Sequence, residues 1–556
     1  MKVNDLYCEA LQLTKELVAI PSVNSSEGGE AAIAHFLENK LRELPYFQEH
    51  PERVVLQPLK DDPLERSNVF GVVTGEKSPS NRTILLHAHM DTVGIEDYGA
   101  LKSFAFSCDE LTKLMGEEAP DEDVRRDARS GEWLFGRGVA DMKCGIAVHY
   151  AVLHYLTEHL NEFSGNIVWM SNPVEENQHT GIRNAVELLE KWKHDYQLDY
   201  IMAINNDYIA PAYPGDTTNY FHAGSVGKIL PCFYCIGKPT HAGEALEGVS
   251  VSRVLAEIVR EMDSNTAYCD VYHGEYTSPP VPLKAEDLKQ SYDVQTAHDA
   301  FVYFNYLIHA RSMSEIFVSL KKVAQNALQK TIEYTNAQYR NYCRMIGAEY
   351  KKLEITTEVL DYHELYQRVE RQYEGNLAEH VQEIAEKAMQ ANVDVRKISR
   401  LIVSELCEMA KIYQPTVVVF LAPPYCPYNT LHLESEKEKV LFDTLNQFLK
   451  NESQEFDRNF QLNHFFPVLS DSSYLKTDDD PDSVQVLKEN FPAMEQLFSM
   501  PMETIQALNI PAVNFGCLGK DAHKWTERVN LPYTFGVLPK VILHAVLKWT
   551  EEGFEH

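Results

Sequence analysis

Chemistry concentrates in this chain where apolar runs stop. In ILLHAHMD, Ile84, Leu85 and Leu86 read as a buried strand, and His87, His89 and Asp91 follow at its end. An imidazole that is to hold a metal ion needs its second ring nitrogen tethered. A carboxylate two residues along a strand end can project to the same side and do so. Alone, His-x-Asp also describes a solvated strand end, but the pattern recurs. WLFGRGVADMKCG places Asp141 at a helix entry behind Gly136 and Gly138, with Lys143 beside it as if to shape a pocket. GNIVWMSN runs into PVEENQHTG, where Glu175 and Glu176 are adjacent; YIMAINND ends in Asp207; IPAVNFGCL leads to GKDAHKWTE with His523 and Glu527. Neighbouring carboxylates repel one another, whereas beside a dication one can ligate while the other stays free as a base. Two histidines, one acid able to bridge and two terminal acids form the ligand set of a pair of zinc ions, or of cobalt or manganese in the same place.

Those residues need a scaffold that gathers strand ends. Helical spacing over residues 5–20 and 28–44, followed by strands near 68–74 and 83–87, predicts an α/β sheet with helices on its faces. In an open sheet of that kind the strand ends collect along one edge, where ligands bind. The acidic stretch 96–130 lacks apolar periodicity and reads as a surface excursion with at most a short helix. At 556 residues the chain is too long for one simple core, so two domains or one large insertion are expected. With 51 basic against 82 acidic residues the net charge is −31, which disfavours nucleic acid and anionic membrane surfaces as partners. The ten cysteines are scattered and read as reduced thiols; Cys232 and Cys235 form a lone C-x-x-C without a second pair at finger spacing. The N-terminus has no signal-peptide core, and no run reaches the roughly 18 apolar residues of a membrane span. A cytoplasmic protein is expected.

Taken in order, HAHMDTV, LFGRGVADMKCG, PVEEN, the acid after YIMAINN, GKPTHAG at 237–243 and HKWTE resemble the successive motifs of the di-zinc amidohydrolases and exopeptidases of metallopeptidase clan MH. That family includes carboxypeptidases, tripeptidases, aminoacylases and acetylornithine deacetylases. The resemblance runs over nearly the whole chain, and INNDY, LSDSSYL and VVVFLAPPYCPYN are most similar to its arginine-utilisation branch. It implies that His89, Asp141 and Asp207 hold one metal and that Asp141, Glu176 and His523 hold the other, with Asp141 bridging. It makes Asp91 the partner of the His89 ring, Glu175 the general base, His241 an oxyanion donor and Arg311 a ligand for the substrate carboxylate. Asp471 becomes pocket-lining, although a turn or cap fits that residue as well.

The fold so implied is a zinc-exopeptidase-like mixed sheet flanked by helices, residues 1–218 and 371–556, with an inserted β-α-β-β-α-β, ferredoxin-like lid at 219–370. Within it the pattern reads strand 228–236, helix 249–262, strands near 268–276 and 300–307, helix 313–345 and a strand near 354–360. The helices at 376–412 and the strand 416–422 are expected to return to the catalytic sheet. The activity implied is hydrolysis of an amide bond in a small-molecule or short-peptide substrate through a water bridging two metals, in arginine or amino-acid catabolism. A homodimer through the lid fits the same resemblance. An aminopeptidase and an N-acyl-amino-acid deacylase are equally open, and a catalytically silent binding or regulatory member is the alternative from another class.

Overall fold

Ile84, Leu85 and Leu86 lie in the strand Arg82–His89, near the middle of an eight-stranded sheet. A computed structural model describes residues 1–24, 26–468, 470–477 and 479–551. The sheet runs Val54–Pro58, Ser67–Thr74, Asn166–Asn172, Arg82–His89, Asp199–Asn205, Ala512–Asn514, Asn219–His222, Phe460–Asn463. The four strands from Asn166–Asn172 to Ala512–Asn514 are mutually parallel. Their register pairs His89 with Asn172, His87 with Asn205 and Asn205 with Asn514, so their C-terminal ends finish level and their following loops start along one edge. Side chains alternate along a strand. Ile84, Leu86 and Ala88 join the core under the helices Leu6–Val18, Cys144–Glu158 and Leu538–Thr550, which leaves His87 and His89 on the other face.

The chain divides into two compact units. The first comprises Met1–Val226, Tyr428–Thr477 and Pro501–His556 and contains the eight-stranded sheet. The second comprises Gly227–Pro427 and Asp478–Met500. Its five-stranded sheet runs Val281–Asp287, Asp299–Ile308, Gly227–Ile236, Thr416–Cys426, Glu358–Asp361. The order strand Gly227–Ile236, helix Val251–Met262, strands Val281–Asp287 and Asp299–Ile308, helix Met313–Ile346, strand Glu358–Asp361 is the β-α-β-β-α-β order that the sequence pattern implies, but its second strand lies later than expected: the stretch 268–276 holds a separate two-stranded hairpin, Val271–Tyr272 with Glu275–Tyr276. Its long helix is framed by Ser312, whose side chain accepts from the Glu315 amide, and by Gly347 at φ 71°. A cap of that kind contributes about 1 kcal/mol.

The boundaries differ from those read in sequence. The strand Asn219–His222 pairs with Phe460–Asn463 in the first unit's sheet, so the second unit starts later than residue 219. It also does not close at 370. Thr416–Cys426 is wedged between Gly227–Ile236 and Glu358–Asp361; helix Val395–Met409 packs on it and helix Leu377–Gln390 packs on that helix, with Val381, Ile398, Ile402 and Leu406 in one core with the strand. A fully buried run such as TVVVFLA suits a central strand of either sheet, and only its partners decide which one. The acidic stretch after Asp91 is a second correction. It folds as a 3₁₀ segment, Glu96–Phe104, and two helices, Cys108–Glu118 and Glu122–Ser130, because Cys108, Leu111, Met115 and Val124 give it a buried side despite its charge.

All ten cysteines are free thiols. Among the described residues no helix is long and apolar enough to cross a membrane.

Candidate metal centre

His89 closes its strand, and Asp91, two residues on, is fully buried. The ring Nδ1 of His89 lies 3.2 Å from the main-chain oxygen of Asp91 and 3.6 Å from its carboxylate. The nearer, backbone oxygen therefore fixes the ring. The Asp91 carboxylate instead gathers a loop: it accepts from the amide of Glu175 (3.0 Å), the amide of Glu176 (3.1 Å) and the side-chain amide of Asn24 (2.8 Å). The acid pair is delivered by a strained turn. Val174 sits at φ 71°, a region that costs a β-branched residue roughly 1–3 kcal/mol, and its amide is held by Glu30 Oε1 at 3.0 Å.

Asp141 belongs to an irregular turn, Val139–Lys143, that opens the helix Cys144–Glu158. Gly138 permits that turn: its φ is 74°, and a Cβ there would lie 2.4 Å from Thr92 Cγ2. Lys143 shapes no pocket; its Nζ donates to the carbonyls of Leu17 (3.0 Å) and Ile20 (2.7 Å) at the end of the first helix. His523 sits in the loop of a small hairpin, Gly519–Lys520 with Arg528–Asn530, which pairs with Trp133–Phe135 in a separate three-stranded sheet. Neither Asp141 nor His523 therefore hangs directly from a main-sheet strand end, in contrast to the single-edge reading of the sequence.

These elements bring the residues together. The two oxygens of Asp141 face different imidazoles, Oδ1 at 3.0 Å from His89 Nε2 and Oδ2 at 3.1 Å from His523 Nε2. Glu176 Oε1 lies 2.8 Å from the same His523 nitrogen. Ligand atoms of His89, Asp141 and Glu176 all fall within 4.8 Å of one another. Asp207 is buried nearby and accepts from the Tyr208 amide at 2.9 Å.

The electrostatics follow from burying so many like charges. Burial pushes the carboxyls of Glu175, Glu176 and Asp207 up, and the proximity of Asp141 adds to the rise for Asp207 and Glu176. Burial acts the same way on Asp141, but contacts from His523 and His89 outweigh it and hold that carboxyl well below the usual range. Burial opposes a charged imidazole at His523, and Asp141 and Glu176 override it and raise the ring to about 11. Three carboxylates, Asp141, Glu176 and Asp207, around two imidazoles, with no thiolate among them, are a donor set that fits divalent zinc, cobalt or manganese.

Glu175 stands apart from that cluster. One of its atoms groups within 4.8 Å with atoms of His179 and Asp471. Asp471 pairs with His179 Nδ1 at 2.9 Å and accepts from Asn172 through its other oxygen, so both of its oxygens have protein partners. His241 and Arg311 belong to the second unit. The exposed His241 accepts the Gly243 amide on Nδ1 at 3.1 Å, and Arg311 donates to the Tyr306 hydroxyl at 3.2 Å.

Sequence reasoning assigned no role to Glu30, Arg137, His179 or Glu527. Glu527 is fully buried, accepts from the amides of Ala140 (3.0 Å) and Asp141 (3.3 Å), and pairs with Arg137 at 2.8 Å. Its place four residues after His523 was visible; its partner, 390 residues away, was not.

A mixed sheet with its buried acids and histidines at parallel strand ends and on adjoining loops is a hydrolase architecture, and the comparisons with known proteins agree. The chain belongs to peptidase family M20/M25/M40, whose family model matches residues 85–447. It is 37% identical over 532 residues to Protein RocB of Bacillus subtilis, covering 95% of this chain and 93% of that one. It is 34% identical over 550 residues to the uncharacterized protein YqjN of the same organism, covering 98% and 97%. Among solved structures, a tripeptidase from Staphylococcus aureus superposes with a TM-score of 0.50 at 14% identity, with 98% of each chain covered. The dipeptidase Dug1p from Saccharomyces cerevisiae gives 0.50 at 11% identity, covering 99% of this chain and 97% of that one. These two likenesses show the fold. The family resemblance carried by the motifs, and the branch they single out, are both borne out.

Proposed function

We propose that this chain is a two-metal hydrolase that cleaves an amide bond, peptide or N-acyl-amino-acid, in a small substrate of arginine or amino-acid catabolism. The observation that carries the reading is Asp141, whose two oxygens each face a different histidine, the arrangement of a bridging ligand. His89, Asp141 and Asp207 would hold one cation, and Asp141, Glu176 and His523 the other, with zinc the first choice and cobalt or manganese able to replace it. Such a pair, when bound, would acidify a water toward neutral pH and polarise the scissile carbonyl.

The chain's own residues supply the rest. Glu175 is held in place through its amide by Asp91 while its carboxylate remains outside the ligand cluster, so it takes the proton from the attacking water and passes it to the leaving nitrogen. His241 is the oxyanion donor: with Nδ1 accepting from Gly243, the ring proton resides on Nε2 and is available to a developing negative charge. Arg311 receives the substrate carboxylate. A homodimer through the second unit accords with this reading.

Elemental analysis of the purified protein, followed by Glu175→Gln, tests the proposal. Two metals per chain with hydrolysis abolished in the variant is the expected result; retained turnover would remove Glu175 from the base role. A panel of dipeptides against N-acyl ornithine, arginine and glutamate then separates peptidase from deacylase.

A further inference from the structure

The long acidic insert between Asp91 and Trp133 is tied to the two loops that carry Asp141 and His523. We propose that it acts as a clamp setting the position of His523 against Asp141, and hence the affinity for the second cation. This rests on the two-metal reading above.

One strut starts at Asp127, in the helix Glu122–Ser130. Its Oδ2 takes both Lys520 Nζ at 2.8 Å and Arg528 Nε at 2.9 Å. Lys520 and Arg528 are the directly paired residues at the base of the hairpin whose loop holds His523. Two cations facing each other across a ladder repel, so the hairpin closes in this register because Asp127 sits between them. Trp133 supports the same pair, its ring centre 4.4 Å from Lys520 Nζ and 5.7 Å from the Arg528 guanidinium. From there Arg528 reaches Asp521 at 2.5 Å and the Thr526 carbonyl at 3.0 Å, and the Thr526 hydroxyl donates to Asp521 at 3.0 Å. The loop is thus tied on both sides of His523.

The second strut starts at Asp97, in the segment Glu96–Phe104. Asp97 pairs with Arg137 at 2.8 Å, Arg137 pairs with Glu527 at 2.8 Å, and Glu527 accepts the amides of Ala140 and Asp141. One strut therefore fixes the histidine and the other the bridging acid. His523 needs such help: its side chain is 49% exposed and its φ is 64°, so its own packing does little to place it. Asp127 and Asp97 touch no candidate ligand and are positioning residues.

Titrating metal-free protein with cobalt(II), whose visible absorption reports the geometry of each site, tests the clamp. Wild type is expected to take up two equivalents. Asp127→Ala is expected to bind the first as wild type does and the second about 10- to 100-fold more weakly, the usual cost of removing a partner behind a ligand. Asp127→Asn, which keeps one acceptor oxygen, recovers part of the loss, and Asp97→Ala, whose strut ends on the acid shared by both cations, weakens the second equivalent and the first with it. Amides 519–528 lose hydrogen-exchange protection in Asp127→Ala while those of Arg82–His89 keep theirs, which separates a displaced loop from a damaged fold. Should Asp127→Ala fail to fold, Asp97→Ala carries the test, its target side chain being 35% exposed. A second equivalent bound as tightly in the variants as in wild type overturns the clamp. Wild-type protein that binds fewer than two equivalents overturns the two-metal reading itself.

Discussion

Replacing Asp91 by asparagine keeps the side chain's shape and removes one charge and one acceptor. In the native arrangement Oδ1 takes the Glu175 amide, and Oδ2 takes the Glu176 amide and Asn24. An asparagine can present oxygen to only one of those sides, and its NH₂ then points at a donor on the other. If the NH₂ faces Glu175, a buried N–H loses its acceptor next to the base. If it faces Glu176, Asn24 can turn over only by giving up its 3.3 Å contact from Asn177. Either way one main-chain amide of the acid pair is orphaned, at about 1–3 kcal/mol. At 1.4 kcal/mol per tenfold, that is roughly a 5- to 150-fold loss in the population with both glutamates in place. Competition with a chelator for the metals, read beside turnover, measures it. An unchanged chelator midpoint together with unchanged turnover would show that Asp91 does not organise the acid pair.

His523→Ala is expected to leave one metal per chain in place of two, and an unchanged count by elemental analysis would refute that ligand assignment. Phe420→Ala removes a fully buried ring and should cost about 3–5 kcal/mol; exchange protection should fall in Gly227–Ile236 and Asp299–Ile308, and a loss confined to Asp199–Asn205 would contradict the sheet assignment. The hydrogen bond that His544 donates to the Glu452 carboxylate holds the imidazole above its ordinary value, against the opposing effect of burial. A folded-state value raised above the unfolded one stabilises fully below the unfolded value near 6.5 and is lost as pH rises through the folded one. Glu452→Gln should accordingly melt lower than wild type at pH 6, with the gap closing toward alkaline pH, and a gap that widens there would reverse the sign argued.

What could be read from sequence was what lies close along the chain. His89 with Asp91, and Glu175 with Glu176, announce themselves because an apolar run ends in ligating types within a few residues. Asp207 was legible for the same reason. His523 follows the apolar run IPAVNFGCL in the same way but at a greater distance from its end, so the pattern marks it more weakly and the family motif assigns its role. The helix Cys108–Glu118 was missed because its acids mask an apolar stripe of only a few residues. The sheet to which Thr416–Cys426 belongs, and the roles of Glu30 and Arg137, depend on partners more than a hundred residues away in sequence, and no window along the chain contains both ends of such a contact.

The strand Ala512–Asn514 lies inside the eight-stranded sheet, bonded to Asp199–Asn205 on one side and to Asn219–His222 on the other. A polypeptide still on the ribosome therefore has a slot in its sheet until its C-terminal region has emerged, and the histidine of the last hairpin arrives later still. A prematurely terminated product would hold most of the acids but could not join them to His523, and its open slot would offer bare strand edges to chaperones and proteases. The site thus stays incomplete until that hairpin has been made.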